Sequence, residues 1–532
     1  MRGIVGIADF SEDIRDSKED IVVMQAAAGL SGAEIITNKH YHFAGDRKQL
    51  TRIEKGLLLY RDPLGKTPLF YTLKGSKIIF ASCIQAILAH PGVEARLELE
   101  GLAQLLALGP ARCQSSGILA GIKSLAPGHF LQIESGKSEP SPVAYWDFKP
   151  DAIHMDSEAE TILKVRKLLT SAVLSSLSFN NNCCAMLSGG LDSSLITAIA
   201  AEAFRNAGQQ LNTFSFDFKD SADHFKSNAF QPERDRPWID KMVAHCNTRH
   251  EHIECSPEEL IEAIEPAVDA RGLPGMADVD ASLLYFCKKI SKQANTSLTG
   301  ECADEIFGGY PWFHQEPGKP DKIFPWAQDY LTRKALLKDQ WVEELKLEKL
   351  AEKYHNESFP PRFPKDSELR RGYLTLKWFM PTLLERMYCM GRHSGLSAAI
   401  PFADIDLMEY VWAIPWETKR KNNKVKYILQ EAARGLVPDS LIERKKSPFP
   451  KTYDPRYTAL LAERLHCIVS DPSSPVLAII DRKKTIAFAE ATLKDPNTSK
   501  PWFGQLMAGP QMMAYVLQLD YWLRKFQVRM LF

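Results

Sequence analysis

The feature that most constrains the fold and function of this chain is a loop of serine and glycine between an apolar stretch and a helical pattern. It reads Ser188-Gly189-Gly190-Leu191-Asp192-Ser193-Ser194, after an apolar stretch (183–187) that predicts a buried strand and before a predicted helix over 192–205. Glycines let the backbone approach an oxyanion, and the N–H groups and dipole of a helix N-terminus bind its charge. The pattern therefore predicts an anion cradle. No lysine follows the glycines, so this is not the nucleotide loop that ends in Gly-Lys-Ser/Thr.

A second loop carries three carboxylates within five residues, at Glu301, Asp304 and Glu305. It follows a short predicted strand (296–298). Such carboxylates repel one another unless a cation lies among them, and Mg²⁺ with pyrophosphate is the natural candidate. Asp192 and Asp304 are the expected ligands. The alternative is that acidic residues simply favour the first turn of a helix.

The order of predicted elements indicates two domains. Residues 1–150 form short strands and turns, including 56–60, 69–72, 77–81 and 130–133, and a segment rich in Pro, Ser and Gly ends this part. From 155 to 532, strands over 183–187, 211–216 and 296–298 alternate with helices over 157–177, 237–245 and 257–268, and the region beyond 320 is mostly helical. This alternation predicts a doubly wound parallel sheet, in which ligands bind at the carboxyl ends of the strands.

Composition and charge bear on which classes of function and which cellular location to expect. The formal net charge of zero argues against a nucleic-acid or membrane-surface role. The ten cysteines are scattered without metal-ligand spacing, which favours small buried side chains in a reducing cytoplasm. The sequence contains neither a signal-peptide pattern at its start nor an uncharged apolar run long enough to span a bilayer, so a cytoplasmic location is expected.

Four segments together carry a family resemblance: Ser188–Ser194, Thr299–Tyr310, Ile400–Asp404 and Trp502–Gly509. They resemble asparagine synthetase of the glutamine-hydrolysing type over roughly 155–532. The resemblance implies an ATP-pyrophosphatase fold and an enzyme that adenylates aspartate with ATP and Mg²⁺ before ammonia attacks. Its substrates would be small molecules, and a homodimer is expected.

The resemblance also implies roles by matching position. The AMP site would be lined by Leu187, Phe216, Thr299 and Gly300, and pyrophosphate would be held by Ser188, Gly189, Gly190, Asp192, Ser193 and Ser194. Asp192 and Asp304 would hold magnesium. Glu301 matches the carboxylate linked to intermediate formation and amine attack. Lys446 matches the lysine that stabilises the adenylation transition state, although an exposed basic helix end would also explain Arg444-Lys445-Lys446.

The first 150 residues resemble a class II glutaminase domain of the Ntn type, with departures. Arg61–Tyr71, Phe80-Ala81-Ser82 and Pro127-Gly128-His129 carry the likeness. The family's nucleophile is a cysteine at position 2, where this chain has Arg2. The family's His-Arg-Gly-Pro-Asp and Tyr-Asn-Gly-Glu segments have no counterpart between residues 10 and 57. We therefore expect a shortened scaffold without glutaminase activity, in which neither Cys83 nor Cys113 replaces the nucleophile.

The synthetase-like part also departs from the family pattern. Tyr388-Cys389-Met390 and the stretch 395–402 stand where the family carries two acids and two arginines. Three functions remain open: an AMP-forming amide ligase using free ammonia or an amine, a specialised relative such as a lasso-peptide cyclase, and a non-enzymatic paralogue that partners an active synthetase. The unaltered Ser188–Ser194 loop favours the first of these.

Overall fold

The structure is a computed structural model that describes residues 3–134, 140–177, 182–225, 227, 231–315, 321–496 and 500–532. Met1 and Arg2 lie outside the described residues, as does the stretch 135–139 at the expected domain boundary. Within the described ranges, no helix combines the length and the apolar content needed to cross a membrane.

The N-terminal part is built on two antiparallel sheets. Its strands are β1 (Ile4–Ala8), β2 (Ile35–Thr37), β3 (Tyr41–Gly45), β4 (Leu50–Ile53), β5 (Gly56–Tyr60), β6 (Phe70–Lys74), β7 (Lys77–Ala81), β8 (Arg96–Leu97), β9 (Ile122–Ser124), β10 (His129–Glu134) and β11 (Pro142–Ala144). One sheet has the order β2-β3-β1-β7-β6-β9 and the other β11-β10-β5-β4. The predicted β-rich character of this part is confirmed.

Side-chain alternation on the central strands explains the layering. Ile4 of β1 and Phe80 of β7 face the second sheet, whereas Val5 and Ile79 belong to the large core shared with the helices. The helices of this part are α1 (Lys18–Ala27), α2 (Ile84–Leu88) and α3 (Leu99–Ala107). The first sheet is therefore buried on both faces.

The second part contains a five-stranded sheet whose strands are all parallel. They are β12 (Cys183–Met186), β13 (Asn212–Phe218), β14 (Arg249–Cys255), β15 (Thr296–Leu298) and β16 (Ser397–Ala399), in the order β14-β13-β12-β15-β16. The chain extends the sheet to one side from β12 and then returns to extend it on the other side. The strand order thus reverses between β12 and β15, where doubly wound sheets bind their ligands.

Helices pack against this sheet and make up most of the other regular structure in the described ranges. They are α4 (Glu158–Ser176), α5 (Leu191–Asn206), α6 (Ser221–His224), α7 (Arg236–Cys246), α8 (Pro257–Glu262), α9 (Ile264–Arg271), α10 (Asp278–Ile290), α11 (Ala303–Phe307), α12 (Tyr330–Lys334), α13 (Asp339–Leu345), α14 (Leu347–Glu357), α15 (Ser367–Leu374), α16 (Met380–Ser394), α17 (Ile405–Ala413), α18 (Trp416–Lys419), α19 (Tyr427–Ala433), α20 (Asp439–Ile442), α21 (Pro455–Ser470), α22 (Arg482–Lys494) and α23 (Gly509–Lys525). A last short strand, β17 (Arg529–Met530), pairs with β8.

Local signals account for several helix boundaries. Ser157 and Glu160 form a reciprocal capping box that begins α4. The single helix predicted over 257–268 is wrong, because the structure has α8 and α9 there, with Ala263 at the break. α9 then continues to Arg271 and ends at Gly272, whose φ of +76° is the left-handed conformation that favours glycine.

Hydrogen bonds to carbonyl groups at the end of α3 connect the two parts of the chain. Tyr515 donates a hydrogen bond to the carbonyl of Leu105 (2.9 Å), and Arg333 donates to that of Leu106 (3.1 Å). The last carbonyls of a helix lack partners within the helix, so these bonds satisfy groups that would otherwise be buried and unpaired. The end of α3 is thus fixed by side chains of the second part.

A buried ion pair also joins the two parts of the chain. Glu385 of α16 accepts a hydrogen bond from Arg112 at 2.5 Å, and both side chains are almost fully buried. Burial alone would raise the pKa of Glu385, but the guanidinium groups of Arg112, Arg271 and Arg61 hold it below its usual value. A single carboxylate therefore balances positive charge from both parts of the chain.

Replacing Glu385 with glutamine should destabilise the protein strongly, because Arg112 would lose its ion-pair partner and the buried Arg271 and Arg61 would lose a nearby negative charge. We expect a loss of about 3–5 kcal/mol in the free energy of unfolding, measured by urea denaturation. The exposed Glu352 provides the matched control, since E352Q removes a glutamate charge that no buried arginine needs. Equal denaturation midpoints for E385Q and E352Q would contradict this account.

Candidate functional site

Two loops meet where the strand order reverses. One follows β12 and contains Ser188, and the other follows β15 and contains Gly300. A Cβ atom on Gly300 would lie 3.0 Å from the backbone nitrogen of Ser193, so any other residue would force the two loops apart by a few tenths of an ångström. Parallel pairing of β12 with β15 fixes this juxtaposition.

Hydrogen bonds within the first loop shape it as a cradle. The backbone N–H of Ser188 donates to Ser193 Oγ (3.1 Å), and the two hydroxyl oxygens are 2.9 Å apart. Gly189 has a φ of +70°, which permits the turn. Because Gly190 is the N-cap residue of α5, no capping side chain competes for the N–H groups of its first turn. These groups can bind an anion.

An arginine behind the loop holds its outer side. Arg444 donates to the carbonyl oxygen of Gly189 (2.7 Å) and to the carboxylate of Asp235 (2.5 Å). The guanidinium therefore fixes the loop and is itself neutralised by a carboxylate. Of the basic run 444–446, Arg444 supports the loop, and Lys446 reaches the carboxylate of Asp304.

Two lysines join the predicted metal-binding carboxylates. The ammonium of Lys426 lies 2.6 Å from Asp192 Oδ2 and 2.5 Å from Asp304 Oδ1, and Lys446 Nζ lies 2.6 Å from Asp304 Oδ2. Burial alone would raise the pKa of Asp304, but the two ammonium groups hold it far below its usual value. Burial raises the pKa of Asp192, against the opposing effect of Lys426. Sequence reasoning missed Lys426.

The donor set at these carboxylates fits Mg²⁺. Asp192 Oδ1 is buried and has no hydrogen-bond partner among the described residues, so this oxygen is available to a ligand. Mg²⁺ in nucleotide sites uses one or two carboxylates together with substrate phosphates. Asp192 and Asp304 would supply those carboxylates beside the anion cradle.

Glu301 forms an ion pair with an arginine that the sequence analysis did not identify. Arg386 of α16 donates to Glu301 Oε1 at 3.0 Å, and its guanidinium lies 5.6 Å from the centroid of the Phe449 ring. Arg386 is 3% exposed, and its Nε is buried without a hydrogen-bond partner among the described residues. It lies one turn before the stretch 388–390, where the family arginine was expected. A carboxylate and a cation thus face the cavity together.

Glu305 lies deeper, beside an aromatic ring. Tyr310 donates a hydrogen bond to Glu305 Oε1 at 2.5 Å, and Lys446 Nζ lies 4.4 Å from the Tyr310 ring centroid. Burial, with the charge of Asp304, raises the pKa of Glu305 to about 8. Of the three acids in this loop, Asp304 faces the lysines, Glu301 faces Arg386, and Glu305 supports Tyr310.

These groups surround one cavity of about 590 Å³. The predicted site residues that line it are Leu187, Ser188, Gly190, Asp192, Ser193, Phe216, Thr299, Gly300, Glu301, Asp304 and Lys446. Two predicted site residues, Gly189 and Ser194, do not line the cavity. Gly189 forms the turn of the loop, and Ser194 is fully buried in α5. The rings of Phe216 and Phe449 stack at a centroid distance of 6.1 Å. Their apolar faces suit the base of a nucleotide.

Comparison with known families agrees with this fold and site. The family model for asparagine synthase matches residues 164–524, and that for the glutamine amidotransferase domain matches residues 17–146. The chain belongs to the asparagine synthase family, whose members are ATP-dependent amide ligases that generally use ATP and Mg²⁺. The resemblance and the fold class drawn from the sequence are therefore confirmed.

Individual relatives give the degree of similarity. Glutamine-hydrolysing asparagine synthetase 3 of Bacillus subtilis is 42% identical over 485 residues, which cover 89% of this chain and 78% of that protein. Asparagine synthetase 1 of the same organism is 24% identical, covering 73% and 65% of the two chains. Amidase chyE of Penicillium rubens is 24% identical, covering 83% and 74%.

Replacing Gly309 with alanine should disrupt the carboxylate–lysine cluster. The new Cβ would lie 1.8 Å from Asp304 Oδ1 and 2.5 Å from Lys426 Cε, so Asp304 and Lys426 would have to move. We expect a large loss of ATP-dependent ligase activity with the fold retained, measured by ATP consumption and circular dichroism. G372A is the control, because the nearest atom there is a Trp412 ring carbon at 3.4 Å. Equal ATP consumption by G309A and G372A would contradict the prediction.

Proposed function

We propose that this protein is an AMP-forming amide ligase that adenylates a carboxylate, with aspartate as the first substrate to test, and that takes its nitrogen from ammonia or an amine rather than from its own hydrolysis of glutamine. The carboxylate oxygen attacks the α-phosphorus of ATP, and pyrophosphate leaves. Ammonia or an amine then attacks the acyl carbon, loses a proton, and releases AMP as the amide forms. The observation that carries this proposal is the convergence of the Ser188–Ser193 loop, the acids Asp192, Asp304 and Glu301, and Lys446 on one cavity.

The electrostatic arrangement supports the first half of this reaction. The N–H groups at the start of α5 and the two serines would hold the pyrophosphate. Mg²⁺ held by Asp192 and Asp304 would neutralise phosphate charge. Lys446 lies beside Asp304 with its ammonium fixed by a carboxylate and the Tyr310 ring, which positions it to stabilise the charge that develops on the phosphate.

Glu301 supports the second half. Its carboxylate faces the cavity, and Arg386 fixes its direction. A fixed carboxylate can orient an incoming amine and accept its proton. Arg386 acts through Glu301 and is therefore a positioning residue in this scheme.

We propose further that the chain divides into domains at 1–150 and 155–532, and that the first supplies no ammonia from glutamine. The chain's first cysteine is Cys83, which is buried at the start of α2 rather than on a strand end open to substrate. The segment Arg61-Asp62-Pro63, which carries part of the glutaminase likeness, instead serves packing: Asp62 accepts backbone N–H bonds from Leu64 and Lys66, and Leu64 enters the core of the parallel-sheet part.

The deciding experiment measures release of AMP and pyrophosphate with ATP, Mg²⁺ and aspartate, comparing ammonium with glutamine as the nitrogen source. We expect turnover with ammonium and none with glutamine, with asparagine identified by mass spectrometry. Turnover with glutamine would overturn the absence of glutaminase activity. ATP binding without AMP release under either condition would contradict the proposed aspartate ligase and favour the non-enzymatic paralogue.

Replacing Glu301 with glutamine should separate the two half-reactions. The amide keeps an oxygen for Arg386 but cannot accept a proton from the amine. We expect ATP affinity to remain near that of the unchanged protein and amide formation to fall by about 10²–10⁴-fold, measured by calorimetry and product assay. The exposed Glu202 gives the control substitution E202Q. Normal amide formation by E301Q would exclude Glu301 as the proton acceptor.

A further inference from the structure

Lys426 occupies a position in the site that the proposed reaction does not by itself explain. Its ammonium bridges Asp192 and Asp304, at 2.6 and 2.5 Å, and its side chain is 5% exposed. The residue lies immediately before α19, more than a hundred positions from either acid along the chain. A third segment of the protein thus closes the gap between the two loops.

The backbone is adapted to this placement. Lys426 has a φ of +59°, a left-handed conformation that is unfavourable for a residue with a long side chain. Its carbonyl is nonetheless fixed, because it accepts the backbone N–H of Gln430 at 2.9 Å. Gly309 leaves the space that Lys426 Cε and Asp304 Oδ1 require. The strained backbone and the required glycine both serve the same contact.

We propose that Lys426 is an internal counter-ion that holds Asp192 and Asp304 together and competes with free Mg²⁺ for them. The metal is then taken up with the polyphosphate, whose negative charge offers the ammonium a new partner. This inference rests on the proposed function for the identity of the polyphosphate as ATP. Lys426 acts through the two carboxylates and is a positioning residue.

Electrostatics supports this competition. An ammonium within 3 Å of two carboxylates that are about four-fifths buried stabilises both charges, because the attraction is less screened there than in water. A divalent cation that binds the same oxygens must first separate these pairs. Without the lysine charge, the two acids would retain only Lys446, at Asp304, and would attract a divalent cation by themselves.

The test is a calorimetric titration with Mg²⁺ alone, without ATP. We expect the unchanged protein to show no Mg²⁺ binding that depends on Asp192, and K426M to gain binding by roughly tenfold or more. The double variant D192N/K426M should lose that gain. K424M is the matched control, because Lys424 is an exposed lysine two residues earlier and should behave as the unchanged protein does.

Two results would overturn the inference. One is Mg²⁺ binding by the unchanged protein that D192N abolishes, a measurement that does not depend on whether K426M folds. The other is a folded K426M, verified by circular dichroism, that binds Mg²⁺ no better than K424M. Because the titration contains no ATP, either result leaves the assay of AMP release to decide the proposed ligase activity separately.

Discussion

The parallel pairing of β12 with β15 is the constraint on which the site depends. These strands are neighbours in the sheet, although more than a hundred residues separate them along the chain. Because the strands run in the same direction, the loops that follow them must emerge at the same edge. Ser193 and Gly300 meet there, and every charged group of the site approaches from around that contact.

Burial of charge is the second organising feature. The cavity brings together Asp192, Asp304, Lys426 and Lys446, and each acid is stable there because an ammonium lies within hydrogen-bond distance. Such pairs contribute little net stability, since desolvation offsets much of their attraction, but removing one member is costly. Loss of any one of these charges would therefore leave its partner uncompensated.

The sequence predicted those parts of the structure whose signals are local. Strands at 56–60, 77–81 and 296–298 agree with the structure because turns of Gly, Pro or polar residues bound short apolar runs. The strand β14 was not predicted, since its alternating His and Glu residues resemble an exposed segment rather than a strand of a parallel sheet. Lys426 and Arg386 were missed for a related reason: nothing around them in the chain distinguishes them from surface cations, and their partners are brought to them by the fold.

The N-terminal part is held against the second part by buried polar contacts at the end of α3 and at Glu385. Arg333 and Tyr515 satisfy the end of α3, and Arg112 shares Glu385 with Arg271 of the second part. Removing residues 1–150 would expose apolar surface and leave these polar groups without partners. Glu385 precedes Arg386 on α16, so the same helix turn that binds the N-terminal part also positions Glu301. The scaffold and the site are therefore coupled through one turn of helix, so the packing of the first part contributes to the geometry of the site.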